Sequence, residues 1–209
     1  LDLRQHWDTF LASRGRKLSR NLRAAERKLA GAGQVSLELA RTPEDIEPAF
    51  NRFLQLYRRS WKQEAGIGFA RQDGYAEYYR RFLARTAESG QARILTLLSG
   101  GTPVAAAVAV TDRTTYYGAQ IVQDRRYDQC SPGTLLEAME LRGLMEEGTF
   151  RDYDFFGAAL NNKRRWTDAA RHTHRLLLFR PNAVATMLER YYFALKPALR
   201  RLRPVRQQH

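Results

Sequence analysis

The spacing of apolar positions predicts helices at both ends of the chain and a run of strands between them. From residue 7 to 32, Leu11, Leu18, Leu22, Ala25 and Leu29 recur on one helical face. Arg14, Arg16, Lys17, Arg20, Arg23, Arg27 and Lys28 surround that face, and Gly31 and Gly33 end the segment. Residues 34–40 alternate as a strand does. Thr42 then caps a helix with Pro43 at its first position, and its apolar positions Ile46, Phe50, Phe53, Leu54 and Tyr57 run on to Trp61. Gly66, Gly68 and Asp73-Gly74 mark a loop, after which residues 75–88 read as a further helix.

The clearest β pattern is a meander. Residues 92–98 form one run, Gly100-Gly101 a hairpin turn and residues 103–111 the partner run. A turn at Asp112-Arg113 leads to a third strand at 114–122. The meander delivers the chain to residues 127–157, YDQCSPGTLLEAMELRGLMEEGTFRDYDFFG, the stretch around which the rest is organised. There Ser131 is a favourable N-cap and Pro132 suits a first helical position. Pro132 has no N–H, so the donors expected to be free at this helix start are the amides of Gly133, Thr134 and Leu135. With the positive end of the helix dipole behind them they make a seat for a phosphate. The same residues also describe a well-capped core helix with the apolar face Leu135, Leu136, Ala138, Met139, Leu141, Leu144 and Met145, stopped by Gly148. A short strand at 153–156 ends at Gly157, a polar loop at 161–166 follows, and residues 174–179 read as a last strand. Pro181 opens a terminal helix bearing Met187, Leu188, Tyr191, Tyr192 and Leu195, and Pro197 ends it before a basic tail. The expected organisation is a basic N-terminal helix at 1–33, a central domain at 34–180, and a C-terminal helix and tail at 181–209.

Composition changes this picture in two places. The 209 residues, 44% hydrophobic, are enough to bury a sizeable core, and no stretch is long and apolar enough for a membrane span or a signal peptide. The net charge of +13 is uneven. Residues 1–34 hold eight Lys/Arg against three Asp/Glu, and residues 163–209 hold twelve against two. The middle holds fifteen against seventeen. Basic ends suit nucleic acid, an acidic membrane surface, an acidic polymer or the phosphates of coenzyme A, or else form a solvated surface. The lone Cys130 excludes an internal disulfide framework and suits a reducing cytoplasm. The first residue is Leu, which is read as the start of a trimmed piece.

The candidate chemistry is limited. His6, His172, His174 and His209 lack metal-ligand spacing, so no metal is expected, and no G-x-S-x-G elbow or Walker A motif is present. Cys130 adjoins the proposed phosphate turn but has no His near it in sequence. The run Ser131-Pro132-Gly133-Thr134-Leu135-Leu136, then Gly148, Tyr153-Asp154-Phe155, Lys163 and Trp166, resembles one branch of the GNAT acyltransferases. That branch is the cellulose-biosynthesis-type acetyltransferases, related to the Fem-type aminoacyl transferases. The resemblance extends from about Trp7 to about Phe179. The family's phosphate loop has two glycines, whereas only Gly133 is present here.

The resemblance implies a mixed α/β fold, with a mainly antiparallel sheet flanked by helices, and acetyl-CoA or another acyl-CoA as co-substrate. It places Tyr117 to Ile121 on a splayed strand edge that holds pantetheine, with Gly118, Ala119, Gln120 and Ile121 as the contacts, and Ser131, Gly133, Thr134 and Leu135 at the phosphates. Lys163 and Trp166 would face the acceptor. Tyr57 and Trp61, four apart on one expected helix face, are either core aromatics or pocket lining. Acyl transfer needs a neutral amine, a polarised carbonyl and a proton route rather than a protein nucleophile. Asp154 is the expected base or acceptor-binding carboxylate, or else it orients the following loop, and Tyr117 and Tyr127 are candidate acids. The expected acceptor is an amine or hydroxyl of a sugar, polysaccharide or cell-envelope precursor. The alternatives are a Fem-type transferase using aminoacyl-tRNA and a silent binding module on a partner or an anionic membrane.

Overall fold

The structure, a computed structural model, describes residues 1–70, 74–157, 160–172 and 183–195. Residues 1–170 form one compact unit and 171–209 a second. In the first, helices α1 (Trp7–Ser13) and α2 (Arg16–Ala30) precede strand β1 (Val35–Ala40), helix α3 (Pro43–Arg58) and the short α4 (Trp61–Glu64). Helix α5 (Tyr75–Glu88) leads to β2 (Ala92–Ser99), β3 (Thr102–Asp112) and β4 (Thr115–Gln123). Helix α6 (Pro132–Glu147), β5 (Asp152–Asp154) and one helical turn, α7 (Asn161–Arg164), complete it. The second unit holds α8 (Ala183–Arg190), continued by a π-helical turn at Tyr191–Leu195. The strand expected at 174–179, the end of the terminal helix at Pro197 and the basic tail lie outside the described residues.

The five strands lie in the order β1-β2-β3-β4-β5. The first four pair antiparallel, and β5 pairs parallel to β4. This is the mixed, mainly antiparallel sheet flanked by helices that the family resemblance implies. Gly100 and Gly101, at φ +56° and +74°, make the two-residue turn of the β2–β3 hairpin, a left-handed pair that glycine adopts without steric cost. The next turn falls at Arg113-Thr114, one residue later than expected, because Asp112 and Thr115 still pair.

Side chains alternate across the sheet. On β3, Ala105, Ala107 and Ala109 join Leu95 and Leu97 in a cluster with α1, α2 and α6. Ala106 and Val108 join Ile94 in a second cluster with α3 and α5, built around Phe50, Phe53, Leu56 and Leu83. Alanine on both faces of β3 lets a helix approach closely from either side.

Three sequence expectations are corrected here. The helix expected over 7–32 is broken at Gly15, whose φ of +92° no helix accommodates. The helix from Thr42 ends at Arg58 rather than reaching Trp61, and the Ser60 hydroxyl donates to Tyr57 O (2.7 Å) at the break. Tyr57 is therefore in the core while Trp61 is 51% exposed, so the two do not share a helix face. Residues 161–164 form a helical turn rather than a loop, and Trp166 just beyond it is fully buried.

Candidate active site

Strands β4 and β5 pair in parallel at Thr115↔Asp152, Tyr116↔Tyr153 and Tyr117↔Asp154, and there β5 ends. From Gly118 to Gln123, β4 runs on with no further pairing to β5. Just past the last pair, β4 carries a bulge, since Val108 faces Gln120 while Ala109 faces Gly118, leaving Ala119 as the extra residue. The Asp124 amide bonds Val104 O on the β3 side. Antiparallel alternation therefore turns the backbone groups of Ile121 and Gln123 to the other side, into the fork between the strands.

A cavity of about 540 Å³ occupies this fork. Gly118, Ala119, Gln120, Ile121 and Gln123 line one wall, and Ser131, Gly133, Thr134, Glu137 and Glu140 of the α6 segment another. Trp61 and Lys62, Tyr153, Phe155 and Phe156, and Asn162, Lys163 and Arg165 complete it. Among the described residues, the two non-glycine residues with left-handed backbone, Ser131 (φ 49°) and Phe156 (φ 51°), both line the cavity. Such conformations persist where surrounding structure enforces them, and they concentrate at functional sites.

At the start of α6, Ser131 is the N-cap residue but its side chain makes no cap bond. Its carbonyl accepts from the amides of Thr134 (3.1 Å) and Leu135 (3.2 Å), and the Gly133 amide donates to Gln123 Oε1 (2.9 Å). The three donors expected to be free are thus all engaged. The Gly133 amide is held by a side chain that a ligand can displace, while Gln123 Nε2 also donates to Asp128 (2.6 Å). A methyl group on Gly133 would stand 2.7 Å from Gln123 Oε1. Arg165 reaches the same helix start, donating to Thr134 Oγ1 (2.5 Å).

Deeper in the fork lie two buried carboxylates. Glu140 accepts a hydrogen bond at each oxygen, from the Tyr116 hydroxyl (2.7 Å) and the Tyr153 hydroxyl (2.8 Å). Burial pushes its carboxyl up to about 7 despite those two donors, and neighbouring Glu137 adds to the shift. Burial and the adjacent carboxylate likewise hold both tyrosines well above their ordinary range. Glu137 accepts from Trp166 Nε1 (3.0 Å); burial raises its pKa, opposed by that bond and by Arg165, Lys163 and Lys62. Lys62 donates to the Ile121 carbonyl (2.7 Å), and burial followed by repulsion from Lys163 lowers its pKa. Lys163 donates to Phe156 O and is lowered by burial, with Asp154 and Glu137 pulling the other way.

The fork therefore brings together Gly118, Ala119, Gln120, Ile121, Ser131, Gly133, Thr134, Lys163 and Trp61. Other sequence candidates stand elsewhere. Leu135 is in the core with its side chain, and Trp166 stacks near Phe10 (6.5 Å) and reaches the cavity only through Glu137. Tyr57 is buried, with its hydroxyl donating to Ile67 O. Tyr127 lies in the 3₁₀ segment before α6, beneath the Arg126 guanidinium (5.9 Å), and Tyr117 packs edge-on against Phe156 (5.9 Å). Asp154 Oδ1 accepts from the Phe156 amide (2.8 Å), holding the turn that follows β5.

Glu137 and Glu140 are not among the sequence candidates, although the sequence carries a signal for both. Glu140 lies four residues after Leu136 and four before Leu144, and Glu137 four before Leu141, so both occupy positions that the helical stripe gives to leucine. Lys62, Gln123 and Arg165 carried no local signal. Among the described residues no group of His, Cys, Asp or Glu is disposed to hold a metal ion, and no helix is long and apolar enough to cross a membrane.

No curated protein sequence matches the chain. Among solved structures it is similar to an aminoglycoside acetyltransferase from an uncultured soil metagenomic sample, in complex with sisomicin, at 12% identity and a TM-score of 0.46 over 71% of this chain and 97% of that one. It is also similar to a GCN5-related N-acetyltransferase from Ralstonia eutropha (13% identity, TM-score 0.49, 68% and 99% of the two chains). A ribosomal-protein-alanine N-acetyltransferase from Brucella melitensis gives 12% identity and a TM-score of 0.47 over 70% and 100%. The sequence profile of the acetyltransferase (GNAT) domain matches residues 16–164, a span that contains the whole sheet and the fork, and the chain belongs to that family.

Proposed function

We propose that this acetyltransferase moves an acetyl group from acetyl-CoA to an amine or hydroxyl of a sugar, polysaccharide or cell-envelope precursor, as a member of the cellulose-biosynthesis-type branch related to the Fem-type transferases. The observation that carries the reading is the fork itself, a strand edge at Gly118–Gln123 that among the described residues makes no pair with β5 and leads to the start of a 16-residue helix. The residues present fit the co-substrate. The Ile121 carbonyl and the Gly133 amide are engaged by side chains, Lys62 and Gln123, that can give way to a ligand's amide and phosphate groups. Arg165 beside Thr134 supplies a cation for the pyrophosphate. Leu135 contributes backbone at that helix start.

On the acceptor side, exposed Trp61 and Phe156 offer ring faces for a sugar, and Glu137 offers a carboxylate for its amine. Lys163 grips the acceptor from α7, with Trp166 fixing Glu137. Tyr57, Tyr117, Tyr127 and Asp154 act from behind the cavity wall, through packing and the Phe156 turn. The protein works in the cytoplasm or at the cytoplasmic membrane surface. One observation favours the tRNA-dependent alternative: Arg16, Arg20, Arg23 and Arg27 line a groove along α2, and among the described residues none of them pairs with a carboxylate.

Calorimetry with acetyl-CoA, coenzyme A and charged tRNA tests the reading. Saturable heat with the first two is expected. Tight, salt-sensitive tRNA binding without a coenzyme A heat would overturn it in favour of the aminoacyl route.

A further inference from the structure

We propose that Glu140 is the proton acceptor of the transfer and that the Tyr153 hydroxyl is the relay joining it to the substrate. The inference rests on the acyl-CoA reading of the fork and adds to it the route of the proton.

Geometry supplies the argument. Tyr117↔Asp154 is the last β4–β5 pair, so Gly118 is the first residue past the parting of the strands. A methyl group on Gly118 would stand 2.3 Å from Tyr153 Oη, which shows that the hydroxyl occupies the space a side chain at 118 would fill. Tyr153 thus places its oxygen at the apex of the fork, and both Tyr153 and Glu140 line the cavity. The Tyr153 proton points at Glu140 Oε2 (2.8 Å), while Tyr116 fixes the other carboxylate oxygen at 2.7 Å. No loop motion is needed to make this connection, because it joins the middle of α6 to two sheet strands. Asp154, by contrast, is turned to the Phe156 amide and does not line the cavity.

The neutral amine attacks the thioester carbonyl and its N–H proton passes to Tyr153 Oη, as the Tyr153 proton passes to the Glu140 carboxylate. The C–N bond forms and the C–S bond breaks, and the same proton returns through Tyr153 to the leaving thiolate. Amine and acetyl thioester become amide and free thiol, and Glu140 ends as it began. The charged and titratable groups around Glu140 are Tyr116 from β4, Tyr153 from β5 and Glu137 from its own helix. Arg93 and Glu147 act on Tyr116. A carboxyl raised to about 7 by burial is a competent base at neutral pH, and its activity falls as the pH drops below that value.

The test follows thiol release from acetyl-CoA, with glucosamine and with water as acceptors, alongside coenzyme A affinity and melting temperature. The wild type should accelerate release with water even where glucosamine is a poor acceptor, because a base at the fork activates either. Its rate should rise through a midpoint near neutrality. Glu140→Gln and Tyr153→Phe should each lose about 100-fold to 10,000-fold with unchanged coenzyme A affinity, and Glu140→Gln should lose the acid limb. Tyr116→Phe removes a donor to the carboxylate, so it should move that limb to higher pH while rates above it persist. Such a shift is one that a purely structural role would not produce. Wild type that binds no coenzyme A overturns the acyl-CoA reading beneath the relay. Wild type that binds it but accelerates neither reaction overturns the relay, as does a folded Glu140→Gln variant with the wild-type rate and pH profile.

Discussion

The two faces of the sheet are built to opposite rules. Beneath α3 and α5 the contacts are mainly aliphatic and aromatic, with Phe50, Phe53 and Phe69 stacked, tilted or edge-on at 5.7–6.1 Å. Beneath α6 the same sheet buries two glutamates, each held by aromatic donors, Trp166 for one and Tyr116 and Tyr153 for the other. Burying each carboxylate carries a desolvation penalty that an apolar side chain would not, offset only in part by these donors. Replacing the whole set, carboxylate and donors together, by apolar residues would remove that penalty, so chemistry at the fork is the better reason for it. Both faces carry a hydrophobic cluster that holds the fold, and the second adds buried carboxylates where the strands part.

The largest effect should come from the apolar face. Phe53→Ala empties a fully buried ring site and should cost about 3–5 kcal/mol, equally on both sides of neutrality, in urea unfolding. A loss that changes with pH would couple that face to the carboxylates and break the comparison. On the other face, Glu140 has a folded pKa of about 7 against 4.5 for the free group. A raised pKa favours the folded state when protonated, so this contribution is full below about 4.5 and is lost as pH rises through about 7. It amounts to about 3 kcal/mol. Glu140→Gln should remove that slope and become the more stable protein above neutrality. An unchanged slope would show that Glu140 titrates as a solvated group.

Smaller changes sharpen the boundary between the faces. Gly118→Ala drives a methyl into the Tyr153 hydroxyl and should cost about 1–3 kcal/mol. Its turnover should fall further than that stability change alone explains. Asp154→Asn keeps an oxygen for the Phe156 amide, so turnover should stay within a few-fold of wild type. A hundredfold loss at unchanged melting temperature would make Asp154 the base and Tyr153 a bystander.

The sequence showed most of what local physics decides. Gly100-Gly101 fixes a hairpin, Thr42-Pro43 starts a helix whose cap bond runs from the Asp45 amide to Thr42 Oγ1, and Gly148 at φ +68° stops α6. Gly118, Gly133 and Lys163 were legible as candidates because the family resemblance attached to local motifs. What escaped was set by tertiary placement. Lys62 enters the fork because α3 stops at Arg58, and Glu137 and Glu140 belong to the site because α6 lies across the point where β5 ends. Tyr57 and Trp61 show the converse. A four-residue spacing implied a shared face, and one break at Arg59-Ser60 sent one ring into the core and the other to the cavity rim.

The central claim is that acetyl-CoA lies along the free edge of β4, and backbone amide shifts on titration with coenzyme A test it most directly. The account predicts saturable shifts concentrated at Gly118–Gln123 and at Gly133–Leu135, with Arg16–Arg27 unmoved. Shifts confined to the basic groove of α2, with β4 silent, would contradict it.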